Sequence, residues 1–205
     1  MELNVNEKIK EIVTSEDEFL KRSYFVLVPE GYKHSRGDVL YKPVGAGLEL
    51  QYKIDISDFF DCGSIIVMES YFDKLDISKD EFFSFAYDNT VVLRPPKFES
   101  VCDMIDNTFN IGIDDLPLYY LTNEKMTYGA GCILYPNMKS KLEAIIGDFI
   151  IIPSSIHEVL IFPNIDNKDM LRTIIKEVNS TAVSPDEVLS GDVLKLNDNR
   201  ELIAS

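Results

Sequence analysis

The chain predicts an α+β fold with a largely antiparallel sheet, and three observations point there. Short β-rich runs separated by Gly and Pro fill residues 23–70; strand pairs joined by polar turns recur after residue 118; and the helices between them carry a single apolar stripe that needs a sheet to cover it. At 205 residues with 45% hydrophobic residues, the chain is long enough for one substantial core. Three segments are expected within it: a helical 1–22, a β-rich 23–70 and an α+β region 71–205, packed as one compact domain.

Taken in order, Val5, Ile9, Ile12 and Val13 form one stripe, and Ser15 with Glu18 supplies a capping box for a second helical piece ending near Arg22. Runs Tyr24–Val28, Val39–Tyr41, Leu48–Ile56 and Ser64–Met68 then read as a β-meander. Alternation in Leu48–Ile56 predicts a strand with one wet face. Ser78 and Glu81 box the start of the next helix, with Ile77 and Phe82 at the staple positions and an exit at Asn89. Pro95-Pro96 is read as opening a further helix through Phe98, Val101, Cys102 and Ile105, followed by a turn-rich connection over 106–117.

Beyond it, Leu118–Thr122 and Gly129–Tyr135 are expected as strands. Asn137 caps a helix striped by Met138, Leu142, Ile145 and Ile146 and stopped by Gly147. Phe149–Ile152 and Glu158–Phe162 are the next strand pair, joined through Pro153-Ser154-Ser155. A helix over 167–178, one helical turn after Ser184-Pro185 and a strand near Val193–Leu196 complete the order β-β-α-β-β-α-(α)-β.

Charge excludes several functions. Twenty basic against 35 acidic residues give −15 at neutral pH and a pI near 4.5. Direct nucleic-acid binding wants a basic stripe, and no window supplies one. An anionic membrane surface is disfavoured on the same ground. What remains is either charge serving solubility or docking onto a basic protein partner such as a nucleic-acid-binding enzyme. Cys62, Cys102 and Cys132 are spaced too widely for a metal site and read as core thiols. No cofactor signature is present. The N-terminus lacks a signal-peptide pattern and no apolar run approaches a membrane span, so a cytoplasmic setting is expected.

One cluster carries chemistry. Ile150-Ile-Ile-Pro-Ser154-Ser155-Ile-His157-Glu158-Val-Leu160 places a hydroxyl, an imidazole and a carboxylate in an apolar frame. A small hydrolase built on Ser155, His157 and Glu158 is one reading, but no glycine-rich elbow supplies an oxyanion hole. The other is a tight turn whose hydroxyls bond locally around a satisfied His157. Further candidates for binding are the acidic run Glu16-Asp17-Glu18, the set Asp55, Asp58 and Asp61, and Asp114-Asp115. Gly31-Tyr-Lys-His-Ser-Arg-Gly37 could greet an anion or be a solvated hairpin tip.

Tyr120-Leu-Thr-Asn123, Gly129-Ala130 with Leu134-Tyr-Pro136, Ile152-Pro-Ser-Ser-Ile-His-Glu-Val-Leu160, and Glu177-Val-Asn179 leading to Val183-Ser-Pro-Asp-Glu-Val-Leu-Ser190 resemble a bacterial family, domain of unknown function 5688. The resemblance covers about Ser70 to Leu196. It implies a protein of accessory gene sets with no assigned activity. Residues and resemblance together favour a non-enzymatic protein-binding or regulatory role. An acidic inhibitor of a nucleic-acid-binding enzyme, of the anti-defence type, is the specific variant.

Overall fold

A computed structural model describes residues 5–61, 63–100, 118–164, 171–173, 175 and 183–205. The fold is α+β with antiparallel strand pairing throughout. Helices α1 (Val5–Thr14) and α2 (Glu16–Arg22) lead into β1 (Ser23–Pro29), β2 (Tyr41–Gly45), β3 (Leu48–Asp55) and β4 (Ser64–Ile66). Helix α3 (Lys79–Leu93) then feeds β5 (Pro96–Ser100) and β6 (Tyr119–Asn123). After a 3-10 helix over Gly129–Leu134 come α4 (Met138–Ile146), β7 (Phe149–Ile152), β8 (Val159–Pro163), β9 (Leu194–Leu196) and β10 (Leu202–Ala204).

Among the described residues the strands form two sheets. In the first, β3 is central, with β1 on one side and β2 then β4 sharing the other. The order β1-β3-β2 replaces the expected meander. The second runs β10-β9-β7-β8-β6-β5. One main core cluster extends from Ile12 and Phe19 through Val26, Tyr52 and Phe82 to Leu121, Ile151 and Leu202. The second sheet's other face is closed by Leu171 and Ile175 against Ile150, Phe162 and Val193. Leu171–Thr173 and Ile175 are helical; the rest of the helix expected over 167–178 lies outside the described residues.

Several expectations are corrected. Pro96–Ser100 is a strand, not the start of a helix, because Thr122 and Leu121 of β6 stand in register to pair with Lys97 and Phe98; Val101, Cys102 and Ile105 lie outside the described residues. Gly129–Leu134 coils as a 3-10 helix rather than a strand, every residue of it buried. At α2, Ser15 makes no side-chain cap bond, and the Glu18 carboxylate accepts from Arg22 Nε at 2.7 Å instead of reaching back to the cap. Helix α3 does cap through Ser78, which accepts from the Glu81 amide, but it continues past Asn89 to Leu93. Asn89 is spent on the carbonyl of Leu20 at 2.6 Å, locking α3 to α2. After Ser184 the chain makes a single hydrogen-bonded turn over 185–187, Glu187 N donating to Ser184 O at 2.8 Å.

The largest correction concerns β3. Its apolar residues are buried as alternation predicts, yet Glu49, Gln51, Lys53 and Asp55 on the other face are buried too. Segment 30–36 and the loop before Gly129 fold over that face, so the side expected to be wet is roofed.

Candidate functional site

Around Ser154–Glu158 the hydrogen bonds close on themselves. Both hydroxyls donate to one carboxylate oxygen, Ser154 Oγ to Glu158 Oε1 at 2.5 Å and Ser155 Oγ to the same atom at 2.8 Å. Ser155 Oγ also accepts from the His157 amide at 3.0 Å, an ST-turn. Backbone bonds pin the loop outward, with Ile156 N donating to Glu187 O at 2.8 Å and Ala130 N to Ile156 O at 3.3 Å.

His157 has both ring nitrogens engaged. Its Nδ1 accepts from the Tyr128 amide at 3.1 Å, which makes Nε2 the protonated nitrogen of the neutral ring, and Nε2 stands 3.3 Å from Glu187 Oε1. No ring nitrogen is left to take a proton from Ser155. The side chain is 26% exposed, so the imidazole is mostly enclosed. The hydroxyl, imidazole and carboxylate that the sequence brings together are neighbours, but their bonding is that of a braced turn rather than a nucleophile with its base.

The bracing has a target. Tyr128 sits in the left-handed region at φ 53°, ψ 35°, held there by the bond to His157. Gly129 follows because nothing larger fits: a Cβ there would lie 2.6 Å from both Asn123 N and His157 O and would also collide with Thr122 Oγ1. Thr122 Oγ1 in turn donates to His157 O at 2.7 Å. Thr122-Asn123, Gly129 and Ser154–Glu158, three separated stretches of sequence, thus form one joint that aims Tyr128 across the molecule at β3.

Under Tyr128 lies the roofed polar face of β3. Glu49 Oε1 contacts His34 Nε2 at 2.8 Å and accepts from Gln51 Nε2 at 2.9 Å, and Gln51 also donates to the carbonyl of Tyr32. Glu49 Oε2 and Gln51 Oε1 are buried without a hydrogen-bond partner. At the other end, Asp55 pairs with Arg94 at 2.6 Å and accepts from the Ser57 amide at 2.7 Å. Burial opposes ionisation of Asp55, but the bonds from Ser57 and the Arg94 guanidinium overcome it and bring the carboxyl down to about 2. Arg94 also lies 4.0 Å from the Tyr24 ring centroid.

Between these pairs stands Lys53. Only 4% of it is exposed, and its ammonium lies 3.6 Å from the Tyr128 ring centroid. Burial pushes that ammonium below its ordinary value. Tyr128 Oη accepts from Lys33 Nζ at 3.2 Å and lies 3.4 Å from Tyr32 Oη. Burial alone would raise the Tyr128 phenol, but Lys53, Tyr32 and Lys33 together draw it down to about 8. Among the described residues, neither Lys33 nor Lys53 is ion-paired with a carboxylate. Of these groups, the sequence pattern points only to the Gly31–Gly37 loop and to Asp55. Lys53 was hidden as one polar residue of an alternating strand, and Tyr128 as the residue before Gly129-Ala130.

The acidic candidates fall differently. Asp58 is exposed and bonded to Arg22 at 2.8 Å, and Arg22 Nε holds Glu18, so two of the acidic segments meet at one end of the molecule. Glu16 and Asp17 are exposed beside them, with Glu16 Oε1 accepting from the Asp76 amide at 2.9 Å. Asp61 is exposed nearby in sequence. Asp55 is not on this surface, being buried with Arg94; Asp114 and Asp115 lie outside the described residues. Cys132 is a buried free thiol pushed up to about 12 by its burial, whereas Cys62 and Cys102 lie outside the described residues. Among the described residues there is no cluster of His, Cys, Asp and Glu able to hold a metal, and no helix long and apolar enough to cross a membrane.

No curated protein and no solved structure matches the chain. A family model, described as a family of unknown function (DUF5688), matches residues 47–195, from the start of β3 through the Tyr128 joint to β9. With well over half of its length matched, the chain belongs to that family.

Proposed function

We propose that the protein is a non-enzymatic binding protein that docks a basic protein partner, of the nucleic-acid-binding kind, through its acidic end. The observation that carries this reading is the convergence at Arg22, where Glu18 and Asp58, 40 positions apart in sequence, are held beside the exposed Glu16 and Asp17. Arg22, Lys21 and Lys8 offset part of that set, and the net charge of −15 keeps the balance of the chain acidic. A partner with a basic groove would gain most from such an end, because complementary potential speeds encounter and sets orientation.

The alternative of a small hydrolase on Ser155, His157 and Glu158 has less behind it. Proton transfer needs a nitrogen free to face the hydroxyl, and both nitrogens of His157 are occupied.

The test is capture from host lysate on the immobilised chain, with partners identified and eluted in rising salt. Basic nucleic-acid-binding proteins are expected, released as salt climbs past about 0.3 M, where exposed charge pairs are screened within a few ångströms. Reversing Glu16, Asp17, Asp58 and Asp61 to Lys should abolish that capture. A complex that survives both molar salt and the reversals overturns the reading.

A further inference from the structure

On the β3 face, each ionised group except one has a partner of its own. Glu49 is taken by His34 and Asp55 by Arg94, while Gln51 ties down the Tyr32 carbonyl. Lys53, between them, has the ring and phenol oxygen of Tyr128 and no carboxylate. An ammonium 4% exposed whose partner is a phenol rather than a carboxylate is costly to bury, and here Lys33 and Arg36 add like charge to it. Such an arrangement persists where a negative group completes it. Asp55 is paired with Arg94 and Glu49 faces His34 and Gln51 rather than Lys53, so an anion from outside the chain would complete the cluster.

We propose that Lys33, Lys53, Tyr32 and Tyr128 form a binding site for the phosphate group of a small ligand. Two ammonium groups and two phenolic hydroxyls meet within hydrogen-bond or ring-contact distance of one another: Lys33 Nζ is 3.2 Å from Tyr128 Oη, Tyr32 Oη is 3.4 Å from it, and Lys33 Nζ stands 4.6 Å from the Tyr32 ring centroid. Several donors disposed around one point suit a multi-oxygen dianion better than a carboxylate, which offers two acceptor atoms. Lys33, Tyr32 and Tyr128 are half-buried and Arg36 is exposed, so solvent reaches the cluster from the side of residues 32–36, while Lys53 lies buried against the Tyr128 ring. The depressed Tyr128 phenol reports the same positive potential at the oxygen. Other titratable groups facing the niche are His157, whose ring centroid is 5.6 Å from that of Tyr128, and the His34–Glu49 pair at its edge.

This site is independent of the acidic end, since it rests on none of the same side chains. It also gives the Ser154–Glu158 turn a purpose: His157 and Gly129 position Tyr128, and Tyr128 touches the ligand.

Calorimetry of the full chain with inorganic phosphate, and separately with glycerol 3-phosphate, tests the proposal against sodium chloride at matched ionic strength. Either phosphate species should bind, the tighter one showing whether the group arrives free or as an ester. Binding should raise the Tyr128 titration, followed by phenolate absorbance, by about one pH unit, because a bound anion opposes the phenolate. Lys33→Gln, at the open rim, should weaken binding at least about tenfold with the fold intact, and Lys53→Met should do the same from the floor. Absence of binding by both phosphates, a response no greater than that to chloride, or affinity unchanged in both variants would overturn it.

Discussion

The Ser154–Glu158 turn and the Lys53 niche share Tyr128, one holding its backbone and the other surrounding its phenol. In the turn, two hydroxyls, a carboxylate and both imidazole nitrogens are bonded to one another or to neighbouring backbone and the Glu187 carboxylate. In the niche, a buried ammonium faces a ring, and a second ammonium and a second phenol crowd the same oxygen. Polar groups that satisfy each other rigidify a loop and leave nothing over for a ligand. Groups of one sign gathered in a partly closed space do the reverse, raising the free energy of the empty state and lowering that of a complementary ligand. The motif most suggestive of chemistry is thus the bracket, and the less conspicuous residues it holds are the better candidates for contact.

The joint between the two regions is the most sensitive point. Gly129→Ala should destabilise the chain by about 3 kcal/mol, since the new Cβ meets two backbone atoms that cannot swing away, and thermal denaturation should show it as a fall of about 6–12 °C. A variant as stable as the parent would mean the joint is looser than its contacts imply.

Within the turn, Glu158→Ala removes the acceptor of two enclosed hydroxyls and should lower stability by about 2 kcal/mol, measured by denaturant unfolding. His157→Ala leaves the Tyr128 amide without its acceptor and should lower it by about 1.5 kcal/mol, while also loosening Tyr128 and so the niche. Catalytic loss with an unchanged midpoint in the His157 variant would break the contrast drawn above and restore the hydrolase reading.

At the far end of β3, the Asp55 carboxyl is lower in the folded chain than when unfolded. Its contribution is therefore present above its ordinary value near 4 and lost as pH falls toward about 2. Stability should drop across that window by about 1 kcal/mol after allowance for solvent screening, and Asp55→Asn should remove this part of the pH dependence. The smallest effect belongs to the niche. Lys53→Met replaces a buried cation without a carboxylate partner by an apolar side chain of similar length, and stability should stay within about 0.5 kcal/mol of the parent or rise. A large loss would make Lys53 a structural residue like its strand neighbours.

Local pattern by itself determined the α+β class, the family, the Ser78 cap of α3, α4 with its Gly147 stop and the strand pair flanking Pro153–Glu158. Each depends on residues near one another in sequence, or on blocks that can be matched in order. It also marked Ser154, Ser155, His157 and Glu158 as neighbours. What those neighbours do was decided elsewhere, because the partner of His157 Nδ1 is the amide of Tyr128, 29 positions away, and that of Nε2 is Glu187. The same holds for β3. Alternating Leu48, Leu50, Tyr52 and Ile54 with Glu49, Gln51, Lys53 and Asp55 is the signature of a strand half in water, and periodicity has no means of registering a second layer laid over the polar side. Only the tertiary structure brings residues 30–36, Arg94 and Tyr128 onto that face. Burial is a property of what packs above a residue, and for Lys53 what packs above it is drawn from segments 20 and 75 positions distant, too far apart in the chain for any local pattern to join.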